Sequence, residues 1–206
     1  RASARFAVRG IYTLENHWFP DESKMWGGSA EVGFVTGQNS QIVLGGSYLD
    51  FQDLEGLDPR IRRQNTRGPL GFLAYDYKVA DVQIQMVNTG QLPFHLVIDY
   101  CWNTAIDEGN KGLWTQLTMG ALASSRALLE YTYAKIDRDA TVAAFNADDF
   151  YWGTGYEAHR VDVGAATSKK SSMHGIASWQ RAKDSLLPEE RDQWVTRYRI
   201  EWRYQF

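Results

Sequence analysis

Apolar and polar residues alternate along most of this chain with a period of two, the signature of β-strands whose two faces meet different surroundings. Helical spacing is hard to find. The alternation is clearest near the end, where Trp194, Thr196, Tyr198, Ile200, Trp202, Tyr204 and Phe206 share one face and Val195, Arg197, Arg199, Glu201, Arg203 and Gln205 the other. Likewise Phe94, Leu96, Ile98, Tyr100 and Trp102 oppose His95, Val97, Asp99 and Cys101, while Leu129, Tyr131 and Tyr133 oppose Glu130, Thr132 and Ala134. About ten such segments are predicted. They lie near residues 4–15, 28–37, 41–51, 78–88, 93–102, 112–121, 126–137, 159–167, 172–182 and 193–206.

The connections alternate in length. Residues 38–40, 89–92, 122–125 and 168–171 read as hairpin turns, whereas 16–27, 52–77, 103–111, 138–158 and 183–192 are longer and rich in Asp, Glu, Arg, Asn and Gly. Short and long loops thus fall at opposite ends of a meander, as in outer-membrane barrels with tight periplasmic turns and long extracellular loops. The expected fold is all-β, an antiparallel up-and-down transmembrane β-barrel forming one domain over residues 1–206. The last strand follows a long loop, so the expected location is a bacterial outer membrane with the C-terminus periplasmic.

A soluble sandwich also alternates. Against it stand the Trp, Tyr and Phe residues towards strand ends, where amphipathic rings form girdles at headgroup level. The polar faces, moreover, mix Gly, Ala and Ser with charged residues, and the most regular strand closes on an aromatic residue. Hydrocarbon cannot satisfy backbone N–H and C=O groups, so a membrane-spanning sheet must close on itself.

Composition narrows the functions. With 22 Lys+Arg against 25 Asp+Glu the net charge is −3, and no basic run is present to neutralise a row of phosphates, so nucleic acid is not an expected partner. The single cysteine, Cys101, excludes an internal disulfide and any multi-cysteine metal cluster. No apolar run approaches the roughly 18 residues of a transmembrane helix. The first residues carry no apolar signal core, as expected of a mature chain or a fragment.

Several stretches carry a family likeness: Tyr75-Asp76-Tyr77, Leu92-Pro93-Phe94, Asp99-Tyr100 followed by Trp102-Asn103-Thr104, and Leu129-Glu130-Tyr131-Thr132-Tyr133. To these are added Asp139-Ala140-Thr141-Val142-Ala143-Ala144-Phe145 and Asp148-Asp149-Phe150. In these the chain resembles a porin family of Gram-negative bacteria, and the match is to the C-terminal half or more of such a protein. The family's loop pattern is Asp-Ala…Asp-Ser-Asp-Phe, and Ala147-Asp148 stand where an Asp-Ser pair is expected. The resemblance implies a barrel of about sixteen strands, so that N-terminal strands are missing from the chain as given. A complete ten-stranded barrel would instead have a narrow, side-chain-filled lumen. Tyr204 and Phe206 look like the C-terminal signal read by the outer-membrane insertion machinery.

On the polar parity, Arg9, Glu31, Gln83, Gln85, Asp99, Gln116, Glu130, Arg160, Asp162, Arg197, Arg199 and Arg203 are the candidate pore-lining residues. A water-filled pore selects by radius and wall charge, and Arg197, Arg199 and Arg203 make a basic ladder facing acids such as Asp99 and Glu130. The alternative for any one of them is simple pairing within the wall. Asp139, Asp148, Asp149 and Phe150 are constriction-loop candidates in a loop too irregular for a calcium site. His17, His95, His159 and His174 lack metal-ligand spacing, Cys101 reads as a packing residue, and no metal or cofactor is expected.

The leading expectation is passive diffusion of small hydrophilic solutes or ions, with outer-membrane lipid as surroundings and no enzymatic step. Homotrimers are common among porins, although no segment marks an interface. Competing readings are a barrel that sheathes or anchors a partner protein, a soluble ligand-binding barrel, and a rim hydrolase. The one pair offered for the hydrolase is His159 with Asp162, since no Ser, His and Asp constellation stands out by spacing.

Overall fold

The computed structural model describes residues 2–12, 23–54, 64–123, 126–143, 150, 152–183 and 191–204, with side chains of the first strand described only at Val8. The chain is all-β. Strands β1 (Ala2–Tyr12), β2 (Lys24–Val35), β3 (Ser40–Gln52), β4 (Tyr77–Asn88), β5 (Phe94–Asn103), β6 (Lys111–Gly120), β7 (Ala127–Ile136), β8 (Tyr156–Ala166), β9 (Ser171–Ala182) and β10 (Trp194–Tyr204) follow in order. Each pairs antiparallel with its sequence neighbours, in one sheet ordered β1 to β10. β1 and β10 are the two ends of that order.

Two starts differ from the sequence reading. β2 begins at Lys24, before the expected residue 28, and β8 at Tyr156, before 159. In both, glycines hide the start. Gly27 lies inside β2 because β3 passes very close: a Cβ there would stand 2.4 Å from the Tyr48 carbonyl oxygen, so only glycine permits this pairing. Gly153 and Gly155 likewise read as loop in front of Tyr156.

The short connections, residues 36–39, 89–93, 121–126 and 167–170, all lie at one end of the meander. The long ones, 13–23, 53–76, 104–110, 137–155 and 183–193, lie at the other. Two of the long ones are locked together. Asn65 Nδ2 donates to the carbonyls of Arg138 (2.8 Å) and Thr141 (2.9 Å), and its Oδ1 accepts from Ala143 N–H at 2.9 Å. Buried Asp139 accepts from Thr66 N–H (2.9 Å), Thr66 Oγ1 (2.5 Å) and Tyr77 OH (2.6 Å). Gly153 N–H donates to the Gln64 side chain.

The apolar packing follows these loops. Val142 is buried with Phe51, Leu54, Tyr77 and Val79, while Ala140 and Phe150 pack on Ala134, Ile136, Tyr156 and Ala158. The two clusters meet the same face of the sheet, at its long-loop end. Replacing Asp139 by Ala strands three donors, of which the Tyr77 hydroxyl is buried. Losing a buried acceptor costs about 1–3 kcal/mol or more, so Asp139→Ala is expected to make residues 137–155 protease-sensitive while strand circular dichroism stays unchanged.

Candidate functional site

The candidate site is one face of the sheet, and register assembles it. Residues directly opposite in a ladder share a face. Glu31 pairs with Gly45, Gly45 with Gln83, Gln83 with Asp99, Asp99 with Trp114, and Trp114 lies on the parity of Gln116. Across the remaining strands Gln116 pairs with Thr132, Thr132 with Arg160, Arg160 with Ser178 and Ser178 with Arg197. Gln85, Glu130, Asp162, Arg199 and Arg203 fall on the same parity, and Arg9 is in register with it through Gly27. Eleven of the twelve residues predicted from scattered segments therefore share one face, the side chain of Arg9 lying outside the described ones.

Across β8 and β9, and in β7 from Thr132 on, this face is buried although it is polar, whereas Glu31 on β2 and Arg197, Arg199 and Arg203 on β10 are exposed. Thr132 (0% exposed), Asp162 (2%), His174 (2%) and Gln180 (2%) belong to it, with Arg160, Ser172 and Ser178 also buried. The opposite face is exposed although it is apolar: Leu44, Val82, Ile84, Met86, Leu129, Val163 and Met173 all lie there. Among the exposed large hydrophobics placed in strands, all but Val35 and Val195 are on this outer side.

Charges on this polar face form a chain across β6 to β10. Gln116 Nε2 donates to Glu130 (2.8 Å), whose other oxygen accepts from Arg160 Nη1 at 2.6 Å. Arg160 Nη2 and Arg203 Nη2 each lie 3.4 Å from Asp162 Oδ2. Glu201 joins Arg203 (2.7 Å) to Arg199 (2.6 Å). The basic ladder is thus partly neutralised by a carboxylate on its own strand; Arg197 has no ion-pair partner among the described residues. On the other flank, Gln83 donates to Asp99 at 3.2 Å, Gln85 to Gln83, and Ser47 to Asp81 at 3.3 Å.

Asp162 Oδ1 lies 2.8 Å from His174 Nδ1, and His174 Nε2 lies 3.0 Å from Ser172 Oγ. Gly164 stands opposite His174, and a Cβ there would meet the imidazole at 2.7 Å. This serine–histidine–aspartate relay was missed by spacing within one segment. Its signal is the hairpin register: pairing Ala166 with Ser172 puts Asp162 diagonal to His174. The expected rim pair of His159 and Asp162 does not exist. An odd separation along a strand sends the two side chains to opposite faces, and His159 instead bonds Tyr131 OH at 2.8 Å on the outer face.

Of the constriction-loop candidates, Asp139 is an anchor between loops, and Phe150 is buried against Trp114 at 5.6 Å between ring centroids. Asp148 and Asp149 lie outside the described residues, as do His17 and Phe206; Tyr204 is on the outer face, paired with Ser171. Cys101 is half-buried against both apolar clusters. Among the described residues no group of three or more His, Cys, Asp or Glu side chains could hold a metal ion.

Comparison with known proteins found no matching family model and no matching curated protein. A double-mutant cycle tests the relay's packing. Gly164→Ala should cost about 1–3 kcal/mol through the clash with the imidazole, and most of that cost should vanish in a His174→Ala background, as measured by denaturant unfolding.

Proposed function

We propose that this sheet is the wall of an outer-membrane β-barrel porin, with its polar face towards an aqueous lumen and its apolar face towards lipid. One observation carries the reading, the inverted polarity of the two faces. In water, leaving a large apolar side chain exposed forfeits about 1.5–3 kcal/mol each, and a continuous exposed apolar face marks a membrane or partner surface. In lipid the same face is the stable one.

A further feature supports it. On the outer face, Trp26, Tyr48, Tyr100, Trp102, Tyr133, Trp179 and Trp194 gather towards the long-loop end. Lys111 and Arg181 pair directly with Trp102 and Trp194, and Lys24, Lys78 and Lys135 lie nearer the strand ends, as in an aromatic girdle bordered by a headgroup layer.

Closure uses the edges of β1 and β10. Tyr198 and Ile200 on β10 are 77% and 80% exposed, as an edge is before a neighbouring strand covers it. Following the porin resemblance, further strands join these edges in a barrel of about sixteen. Small hydrophilic solutes or ions then pass between the acidic flank at Glu31, Asp81 and Asp99 and the basic flank at Arg197, with the interlocked loops narrowing the long-loop mouth. No enzymatic step or cofactor is needed for passage.

Single-channel conductance of the full-length protein in a planar bilayer tests this: steady ohmic openings are expected, and a folded but silent barrel would favour a sheath around a partner protein. Arg197→Glu should move the reversal potential in a salt gradient towards cation preference. On the lipid side, Ile98→Arg or Leu129→Arg should destabilise the barrel by about 2–4 kcal/mol, whereas Gln116→Arg should be tolerated. Equal tolerance on both faces, read by unfolding in detergent or lipid, would overturn the orientation.

A further inference from the structure

Passage through a pore requires charge on its wall but no serine hydrogen-bonded to an imidazole. The polar face nevertheless contains one, at the turn-proximal end of β9. We propose that Ser172 and His174, with Asp162, form an esterase centre for small hydrophilic carboxylic esters.

The connectivity is that of an activated nucleophile. Asp162 Oδ1 receives the Nδ1–H of His174 at 2.8 Å, which leaves Nε2 free to accept the Ser172 hydroxyl at 3.0 Å. Each member is held in place. Asp162 is fixed through its second oxygen by Arg160 and Arg203, both at 3.4 Å. The imidazole fits only because residue 164 is glycine. Ser172 and His174 alternate on one strand, so a single face carries both groups.

The chemistry balances with water alone. Ser172 Oγ attacks the ester carbonyl carbon as its proton passes to His174 Nε2. The bond from that carbon to the alcohol oxygen breaks, and the proton leaves with the alcohol. Water, deprotonated by His174, then attacks the acyl carbonyl, releasing the carboxylic acid and restoring the hydroxyl. Arg203 pairs with Ser172 across the ladder and puts positive charge beside the developing oxyanion. Ser172 is buried and its ladder partner Arg203 half-exposed, so the ester enters from the Arg203 side. The relay opens onto the polar face, so its ester is hydrophilic; a lipid ester would meet the opposite side. Asp162 acts through the imidazole and is a positioning residue.

The test is a fluorophosphonate probe on the full-length protein in detergent micelles, with the adduct mapped by peptide mass spectrometry. A single adduct on Ser172 is expected, with none on Ser168 or Ser171 at the adjoining turn and its border with β9. p-Nitrophenyl acetate hydrolysis should fall about 10²-fold or more in His174→Ala. Asp162→Asn should lower the rate and displace its pH profile. The proposal is overturned if wild-type Ser172 stays unmodified, if the turn serines react equally well, or if His174→Ala leaves the labelling rate unchanged. Because the adduct is mapped on wild-type protein, the first two outcomes do not depend on how the variants fold. Conductance is not a readout, so failure here leaves the pore reading standing.

Discussion

Everything described above depends on one continuous register. Side chains in a strand alternate with a period of two, so a slip of a single residue between any two neighbours would carry every polar side chain beyond it to the outer face. Through nine successive antiparallel pairings no such slip occurs, and Glu31 on β2 and Arg197 on β10 end on the same side. The backbone sets this without help from any one side chain. Each interior strand satisfies its amide groups on both neighbours, and the faces then sort themselves by sequence parity. A slip is resisted here because ionic residues such as Asp162 and Arg160 would lose their partners and be turned out among Val161 and Val163.

Alternation made the strands and their faces legible. The interior of β5 could be read from Phe94 to Trp102 because nothing interrupts it, whereas the start of β2 was hidden by Gly27 and Gly28, which have no side chain to mark a face. Cross-strand geometry was legible only where register arithmetic was applied. His159 and Asp162 look adjacent along the chain and are separated by the thickness of the sheet; Asp162 and His174 look distant and touch. Loop structure was the least legible. Asp139 has the composition of a solvent-facing acid, yet its three donors come from Thr66 and Tyr77, more than 60 residues away, as the bond to Tyr77 spans 62 positions.

The inner face divides into regions of different physical character. At the long-loop end it is filled by Val142, Ala140 and Phe150 from the loops, beside the buried Asn65 and Asp139. Further along it becomes a hydrogen-bonded lattice in which Glu130 and Asp162 each accept from Arg160. At the turn-proximal end it holds the Ser172–His174 pair. Breaking one partner in such a lattice is costlier than its net contribution suggests, because a buried charge left alone carries the full desolvation penalty.

The clasp between the two long loops also bears on how the chain reaches this structure. Every strand pairing joins neighbours in sequence, so each closes only the connection between its two strands, at most residues 53–76. The bonds from Asn65 to Arg138 and Thr141 are different, for they span 73 and 76 residues. Formed early, they would pin the ends of a long unstructured segment for the return of a few hydrogen bonds. Once β4 to β7 have zipped together, the same atoms are already neighbours and the closure is nearly local. The clasp is therefore a late event by its own entropy, and the two loops join only after the strands between them have paired.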